Sequence, residues 1–369
     1  MPPLYLLIKP ASGNCNLRCQ YCFYHDEMKN RSAASAGMMK PENLEILVEK
    51  ALRHADVACT FAFQGGEPTL AGLPFFEHLI ECEKKYNVKR LTIHNAIQTN
   101  GVGIDEKWAS FLAANHFLTG VSLDGIRRVN DRYRVDPAGR GTFDRITRGL
   151  ALMEAKRAEF NILTVVTAES ARRIRKIYDF YKSRNWRHQQ YIPCLEPLGC
   201  ERGVQDYSLT PELYGKFLMD LFDLWYADVI RGEFVSNRWF ENLAGRLQGR
   251  PPELCGTLGH CTLQWVVEAD GGVYPCDFYA LDRYRLGNIF TDGFDELSAA
   301  CEASGFVQQS LAMPPQCLDC KWFGLCRGGC RRDRDYWEDG LGLNYYCESY
   351  LRFFEHAGDR LAVLAARLR

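Results

Sequence analysis

The sequence predicts an α/β protein: a partial, open (β/α)6 barrel of TIM-like, parallel type, followed by a small cysteine-rich domain that ends in a helix. Two observations predict it. Up to about residue 235, short apolar runs alternate with longer helical patterns, and strand–helix units repeating at roughly 30–40 residues build a parallel sheet with right-handed crossovers. After about residue 240 the alternation stops, and Cys, Gly and Trp become dense.

The strand candidates are LYLLIKP (4–10), CTFAFQGG (59–66), RLTIHNAIQTN (90–100), FLTGVSLDG (117–125), FNILTVVTAES (160–170) and HQQYIPCLEP (188–197). Six units are too few to close an eight-stranded barrel, so the barrel stays open and its chemistry belongs at the C-terminal strand ends. Helical patterns fill the gaps at 41–55 and 73–86, and another follows the last strand from Thr210. Pro41 and Pro211 suit the first turn of their helices. Further on, WVVEADGGVYPCDFYA reads as a hairpin turning at Asp270-Gly271-Gly272. The tail 344–369 reads as a closing helix. The texture change places a boundary near 235–250, dividing the chain into 1–235 and 236–369.

The formal net charge is -1. There is no basic excess to neutralise a phosphate backbone, so nucleic acid is not an expected partner. The N-terminal stretch lacks a basic n-region and a cleavage site, and no run of about 18 apolar residues occurs, so neither export nor a membrane span is expected. The chain is expected in the cytoplasm. In a reducing compartment, 16 cysteines in 369 residues point to metal ligation or redox chemistry before disulfides.

Three of these cysteines, Cys15, Cys19 and Cys22, form a C-x3-C-x2-C loop after the first strand. Three thiolates can hold three irons of a 4Fe–4S cluster and leave the fourth iron open. No fourth Cys stands nearby to close a structural zinc loop. The loop resembles the radical S-adenosylmethionine (SAM) signature, including Tyr21 before the last cysteine. That resemblance implies that the open iron binds SAM and that SAM cleavage yields a 5′-deoxyadenosyl radical. The motif Gly65-Gly66-Glu67-Pro68 after the second strand is similar to the family's segment for the SAM amino group; alone it would read as an ordinary turn. By the same resemblance Ser122, Arg134 and Leu195 contact SAM and Tyr24 lies near the adenine, with Gln64, Gln98 and Asn100 as further candidates.

A second array holds Cys255, Cys261, Cys276, Cys317, Cys320, Cys326, Cys330 and Cys347. Taken alone, such pairs fit zinc sites as well as clusters. From Cys261 onward the spacing resembles the SPASM signature of radical SAM peptide maturases, with Cys255 as an eighth ligand. The resemblance assigns Cys255, Cys261, Cys276 and Cys330 to one auxiliary 4Fe–4S cluster and Cys317, Cys320, Cys326 and Cys347 to another. Cys59 and Cys82 lie in strand and helix patterns and are expected to be buried.

The opening LLIKPAS, CFYH, AFQGGEPTLAG, QTNG, VYPCDFY, LGNI, CKWFGLC, GGCRRDRD and LNYYC together resemble the anaerobic sulfatase-maturating enzymes, over nearly the whole chain. That resemblance implies oxidation of a Cys or Ser in an unfolded sulfatase, within a C-x-P-x-R type motif, to Cα-formylglycine. It also implies an external electron donor such as flavodoxin or ferredoxin. Asp277, directly after Cys276, is the candidate base, because a base must be within hydrogen-bond reach of its proton; a hairpin Asp satisfied by backbone N–H groups is the alternative. The run CRRDRD (330–335) reads as partly solvated and partly balancing cluster charge. A related maturase that cross-links or epimerises a small ribosomal peptide stays open. Only 14 residues precede Cys15, which leaves little room there for a leader-binding domain. A plain electron carrier would not need an open-site loop. On this reading the protein holds about 12 irons in three clusters. Replacing Cys15, Cys19 and Cys22 with Ala should remove about a third of that iron and abolish SAM cleavage, with the auxiliary clusters retained; iron analysis and 5′-deoxyadenosine assay check this.

Overall fold

In the computed structural model, residues 3–336 and 340–367 are described. The strands are β1 (Leu4–Lys9), β2 (Ala58–Phe63), β3 (Thr92–Thr99), β4 (Leu118–Ser122), β5 (Phe160–Val166), β6 (His188–Pro193), β7 (Ser236–Asn237), β8 (Val266–Glu268), β9 (Gly272–Tyr274) and β10 (Gly287–Asn288). The six expected strand positions are all occupied by strands, and helices Pro41–His54, Leu73–Tyr86 and Pro211–Ile230 lie where the periodicity predicts them. The closing helix is Cys347–Arg367; its predicted last two residues lie outside the described ones.

The chain folds as two compact units that interleave along the sequence. The first comprises Met1–Ser122, Arg134–Asn161 and Leu263–Gly305. Here β1, β2, β3 and β4 pair in parallel in that order, with Leu4 opposite Cys59 and Ala58 opposite Thr92. β1 and β2 are buried or half-buried over nearly all their length, as parallel strands usually are, whereas β3 and β4 begin exposed. The predicted hairpin is present, with β8 antiparallel to β9. Its first strand also pairs in parallel with β1, Leu7 opposite Val266, so residues beyond 260 extend the sheet of the first unit. Helix Pro41–His54 buries Leu44, Leu47, Val48, Ala51 and Leu52, an i, i+3, i+4, i+7, i+8 stripe. Phe63, Phe75, Phe76, Trp108 and Phe117 meet edge to face in this core, a preferred aromatic geometry.

The second unit comprises Leu123–Tyr133, Ile162–Thr262 and Phe306–Arg369. It contains most of β5, with β6 and β7 parallel beside it. Helices Pro211–Ile230 and Cys347–Arg367 pack together through Phe222 against Phe353, with Phe240 stacked on the latter. Among the described residues no helix is long and apolar enough to cross a membrane. Cys59 and Cys82 are buried, as expected, and so are Cys194 and Cys301; Cys200 is exposed.

Gly66 shows how tightly the strand ends are built. Its φ is +50°, and a Cβ there would lie 2.1 Å from the Asn14 carbonyl oxygen. Gly66→Ala combines left-handed strain with a backbone clash, so it should cost at least about 2 kcal/mol, measured as a fall in melting temperature.

Candidate active site

The C-terminal strand ends of the first unit gather the first set of candidate residues. Glu67 N donates to Asn14 O at 2.8 Å. The buried Glu67 carboxylate accepts from Thr69 Oγ1 at 2.7 Å, Thr99 Oγ1 at 2.7 Å and Asn100 N at 2.7 Å. Asn100 in turn donates to Asn16 Oδ1 at 2.7 Å and lies 3.8 Å from Cys15 Sγ. The GGEP segment thereby stitches the ends of β2 and β3 to the loop of Cys15, Cys19 and Cys22. Glu67 is committed to that stitching. Its carboxylate has four donors within the chain, counting Thr69 N at 3.1 Å.

All three loop thiols are half-buried. Burial pushes the Cys15 thiol up to about 11 and raises Cys22 as well, with Arg134 pulling Cys22 the other way. The Arg134 guanidinium lies over the Tyr21 ring at 5.7 Å. Ser122 accepts a hydrogen bond from Gln98 at 3.0 Å. Leu195 belongs to the second unit, half-buried beside buried Cys194.

Asp277 is 5% exposed and follows Cys276 at the end of the hairpin. Tyr24 donates to Asp277 Oδ2 at 2.7 Å, and Gln64 Nε2 reaches the same oxygen at 3.0 Å and the Tyr24 hydroxyl at 2.8 Å. Phe23 and Phe278, their chain neighbours, meet edge to face at 5.0 Å. Of the residues matched to SAM contacts by resemblance, Tyr24 and Gln64 thus stand on the candidate base.

Behind Asp277 lies a buried charge cluster that sequence reasoning missed. Lys9, the last residue of β1 and 1% exposed, is 3.1 Å from Glu268, 3.4 Å from Glu27 and 3.8 Å from Asp277. Arg31 adds a 2.7 Å pair to Glu268. Burial alone would lower the Lys9 ammonium, but the three carboxyl groups outweigh it and hold the pKa raised. Burial opposes ionisation of Glu268 too, yet Lys9 and Arg31 hold it down at about 2. Glu27 is pushed by burial up to about 7, against Lys9 and with Asp277 adding to the rise, and burial likewise raises Asp277 against the pull of Lys9 and Tyr24. The available signal was a charged residue ending an apolar strand, in LLIK and again in VVE.

In the second unit, Cys317, Cys320, Cys326 and Cys347 all line one cavity of about 190 Å³, whose remaining walls include Trp322, Leu351 and Phe354. Well-packed interiors hold few voids larger than a water molecule. A space of this size ringed by four thiols and apolar walls fits a four-iron cluster held by cysteines. Cys255, Cys261 and Cys330 also lie in this unit; burial, with Cys255 and Cys261 among the nearby groups, raises the Cys330 thiol. Cys276 lies in the first unit. The expected partly solvated basic run is buried instead. Arg331, Arg332 and Arg334 are each at most 7% exposed and donate to the carbonyls of Phe306, Glu196 and Ser310 at 2.8, 2.7 and 3.0 Å. Their side chains pin loops; burial raises the Cys261 thiol, with Ser310, Arg331 and Arg334 pulling against it.

Residues 10–181 match the model of the radical SAM superfamily, and residues 259–321 match SPASM, an iron–sulfur cluster-binding domain. The parallel strand–helix fold and the two cysteine arrays are therefore those of a radical SAM enzyme with a SPASM domain. The chain is 50% identical, over 100% of both chains, to the cysteine-type anaerobic sulfatase-maturating enzyme of Clostridium perfringens strain 13, and 45% identical to that of Clostridium novyi over 100% of this chain and 99% of the relative. It superposes with a TM-score of 0.95, at 49% identity and 100% coverage of both chains, on native anSMEcpe with bound AdoMet and Cp18Cys peptide. The chain belongs to the anaerobic sulfatase-maturating enzymes.

The Glu268 carboxylate sits at about 2, against 4.5 for an ordinary glutamate. Its contribution to stability is thus fully present above about pH 4.5 and is lost as pH falls toward 2; the shift corresponds to about 3 kcal/mol. Glu268→Gln should melt well below wild type at neutral pH, and the gap should narrow below about pH 4.5. A gap independent of pH would assign the loss to packing.

Proposed function

We propose that this enzyme oxidises a cysteine in an unfolded sulfatase polypeptide, within a C-x-P-x-R type motif, to Cα-formylglycine. The observation that carries the reading is Asp277. A buried carboxylate beside the cluster-ligand candidate Cys276 is held by Tyr24 and Gln64 at the strand ends that also carry the Cys15–Cys19–Cys22 loop. The cysteine-type relatives, aligned end to end with this chain, favour a Cys target over Ser.

When bound, SAM and the three 4Fe–4S clusters supply the radical that takes a Cβ hydrogen and the acceptor for the remaining electron. Cys15, Cys19 and Cys22 would hold the SAM-binding cluster. Cys255, Cys261 and Cys330 would hold one auxiliary cluster, with Cys276 a further candidate from the resemblance; Cys317, Cys320, Cys326 and Cys347 would hold the other. Gly65, Gly66, Ser122 and Arg134 would line the SAM site, braced by Glu67, with Leu195 a further candidate from the resemblance. Asp277 takes the thiol proton of the target, so that a hydrogen atom, a proton and an electron together convert the thiol carbon to a thioaldehyde. Water then displaces sulfur as hydrogen sulfide and leaves the aldehyde. The proposal keeps a functional division at 1–235 and 236–369, supported by family matches that fall on either side of it. It places the enzyme in the cytoplasm with a flavodoxin or ferredoxin as electron donor.

A reconstituted enzyme should remove about 18 mass units from a Cys-containing C-x-P-x-R peptide. Asp277→Asn keeps the volume and removes the charge. It should retain wild-type iron and SAM cleavage while formylglycine falls roughly 10²- to 10⁴-fold, the range for loss of a general base. Full activity of that variant in mass spectrometry would return Asp277 to an ordinary hairpin residue.

A further inference from the structure

The second unit carries a concentration of positive charge that the chemistry above does not use. The stretches 126–133 and 168–176 are rich in arginine and contain Asp131 and Glu169 as their carboxylates, in a chain whose formal net charge is -1. The arrangement is built around Glu169, which is 5% exposed. It pairs with Arg173 at 2.8 Å, and Arg132 and Arg128 stand 3.6 and 3.9 Å from it. Arg128 and Arg132 share a face of the helix Arg127–Tyr133 at i and i+4, where like charges repel. One buried carboxylate thus faces three guanidinium groups, and positive charge is left over at the surface. The Arg128 side chain is 76% exposed there and that of Arg132 44%. Arg172, next in the chain to Arg173, is exposed as well, as are Arg175 and Lys176. Asp206 pairs with Arg132 at 3.1 Å and takes the Tyr133 hydroxyl on its carbonyl at 2.8 Å, so the face is tied down. A fixed surface of one sign costs self-repulsion, and it steers partners of the other sign toward itself.

We propose that this arginine face docks an acidic protein, the one-electron carrier that supplies the cluster of Cys15, Cys19 and Cys22. The inference rests on the reading above in which an external donor provides that electron, and adds where the donor binds. Two observations favour a carrier over other partners. Arg132 stands two residues before Arg134 in the chain, a span of at most about 7 Å between Cα atoms. Arg134 lies over Tyr21 of the cysteine loop at 5.7 Å, so the chain runs from the arginine face directly into a residue that touches that loop. The substrate motif C-x-P-x-R carries an arginine of its own, which a positive face disfavours. In the transfer the reduced carrier loses one electron and the cluster gains it; no bond is made or broken.

The test compares the reconstituted wild type with the double variants Arg128→Glu/Arg172→Glu and Arg128→Gln/Arg172→Gln, which leave the Arg173–Glu169 pair in place. The probes are an acidic flavodoxin and an acidic ferredoxin. Carrier binding is measured by calorimetry, and 5′-deoxyadenosine formation is measured with the reduced carrier or with dithionite, beside the melting temperature and the peptide KM. In about 50 mM salt the Glu variant should bind the carrier at least about tenfold more weakly than wild type, with the Gln variant between them. In about 500 mM salt, where surface charge reaches only a few ångström, all three proteins should agree within about twofold. With dithionite, 5′-deoxyadenosine formation should stay within about twofold of wild type in both variants, because the cluster site is untouched. Should the Glu variant not fold, the Gln variant carries the comparison, with a loss of at least about threefold. No binding of either carrier to wild type, binding indifferent to salt and substitution, or binding without carrier-driven 5′-deoxyadenosine overturns the proposal. A shift in peptide KM with carrier affinity unchanged makes the face a substrate surface, and tighter binding of a short single-stranded RNA than of either carrier makes it a nucleic-acid surface; both overturn it. Carrier-driven 5′-deoxyadenosine without formylglycine, by contrast, fails the proposed oxidation and leaves the docking surface standing.

Discussion

The buried ammonium of Lys9 is the constraint around which the first unit is arranged. An ion taken out of water is costly unless partners surround it, and this one has carboxyl groups on three other stretches of chain: Glu27, Glu268 and Asp277. β1 brings Lys9, the helix Phe23–Lys29 brings Glu27, β8 brings Glu268 and the turn after β9 brings Asp277. Meeting the needs of one charge therefore fixes the hairpin against β1 and fixes Tyr24 against the hairpin. The candidate base is part of the same arrangement, so its position is inherited from the fold instead of from a mobile loop.

Glu67 plays the corresponding part on the other side of the strand ends. A buried carboxylate with donors from Thr69, Thr99 and Asn100 is rigid, and through Asn100 and Asn16 it steadies the segment that begins the cysteine loop. The second unit solves a similar problem with arginine. Arg331, Arg332 and Arg334 anchor on carbonyl groups, which places positive charge near cysteines, and Arg332 and Arg334 also favour the charged form of the buried Asp333 carboxyl. Charges placed and fixed before any ligand arrives need no reorganisation when charge later develops.

Much of this was legible from the residues alone. The six parallel strands follow from apolar runs bounded by turn residues, and the hairpin follows from Asp270-Gly271-Gly272. The pairing of β8 with β1 was not legible, because local periodicity says which residues form a strand and nothing about its neighbour. For the same reason the texture change near 240 did not reveal that Leu263–Gly305 joins the first unit. Lys9 was hidden by company: in LLIK it reads as the end of a strand, and only its partners from distant segments give it meaning. The arginine run misled in the opposite direction, since charge density suggested solvent where the chain supplied backbone acceptors.

The interleaving of the two units also has a bearing on how the molecule comes into being. Leu7 finds its β8 partner Val266, and Lys9 its partner Glu268, only after some 260 further residues have been made. At ordinary translation rates that interval is on the order of 10–50 s. Through it the nascent chain carries a lysine with two of its three carboxyl partners unmade. β1 is thus among the last strands to be completed, and the pocket that would abstract a proton assembles only when most of the cysteine-bearing chain already exists.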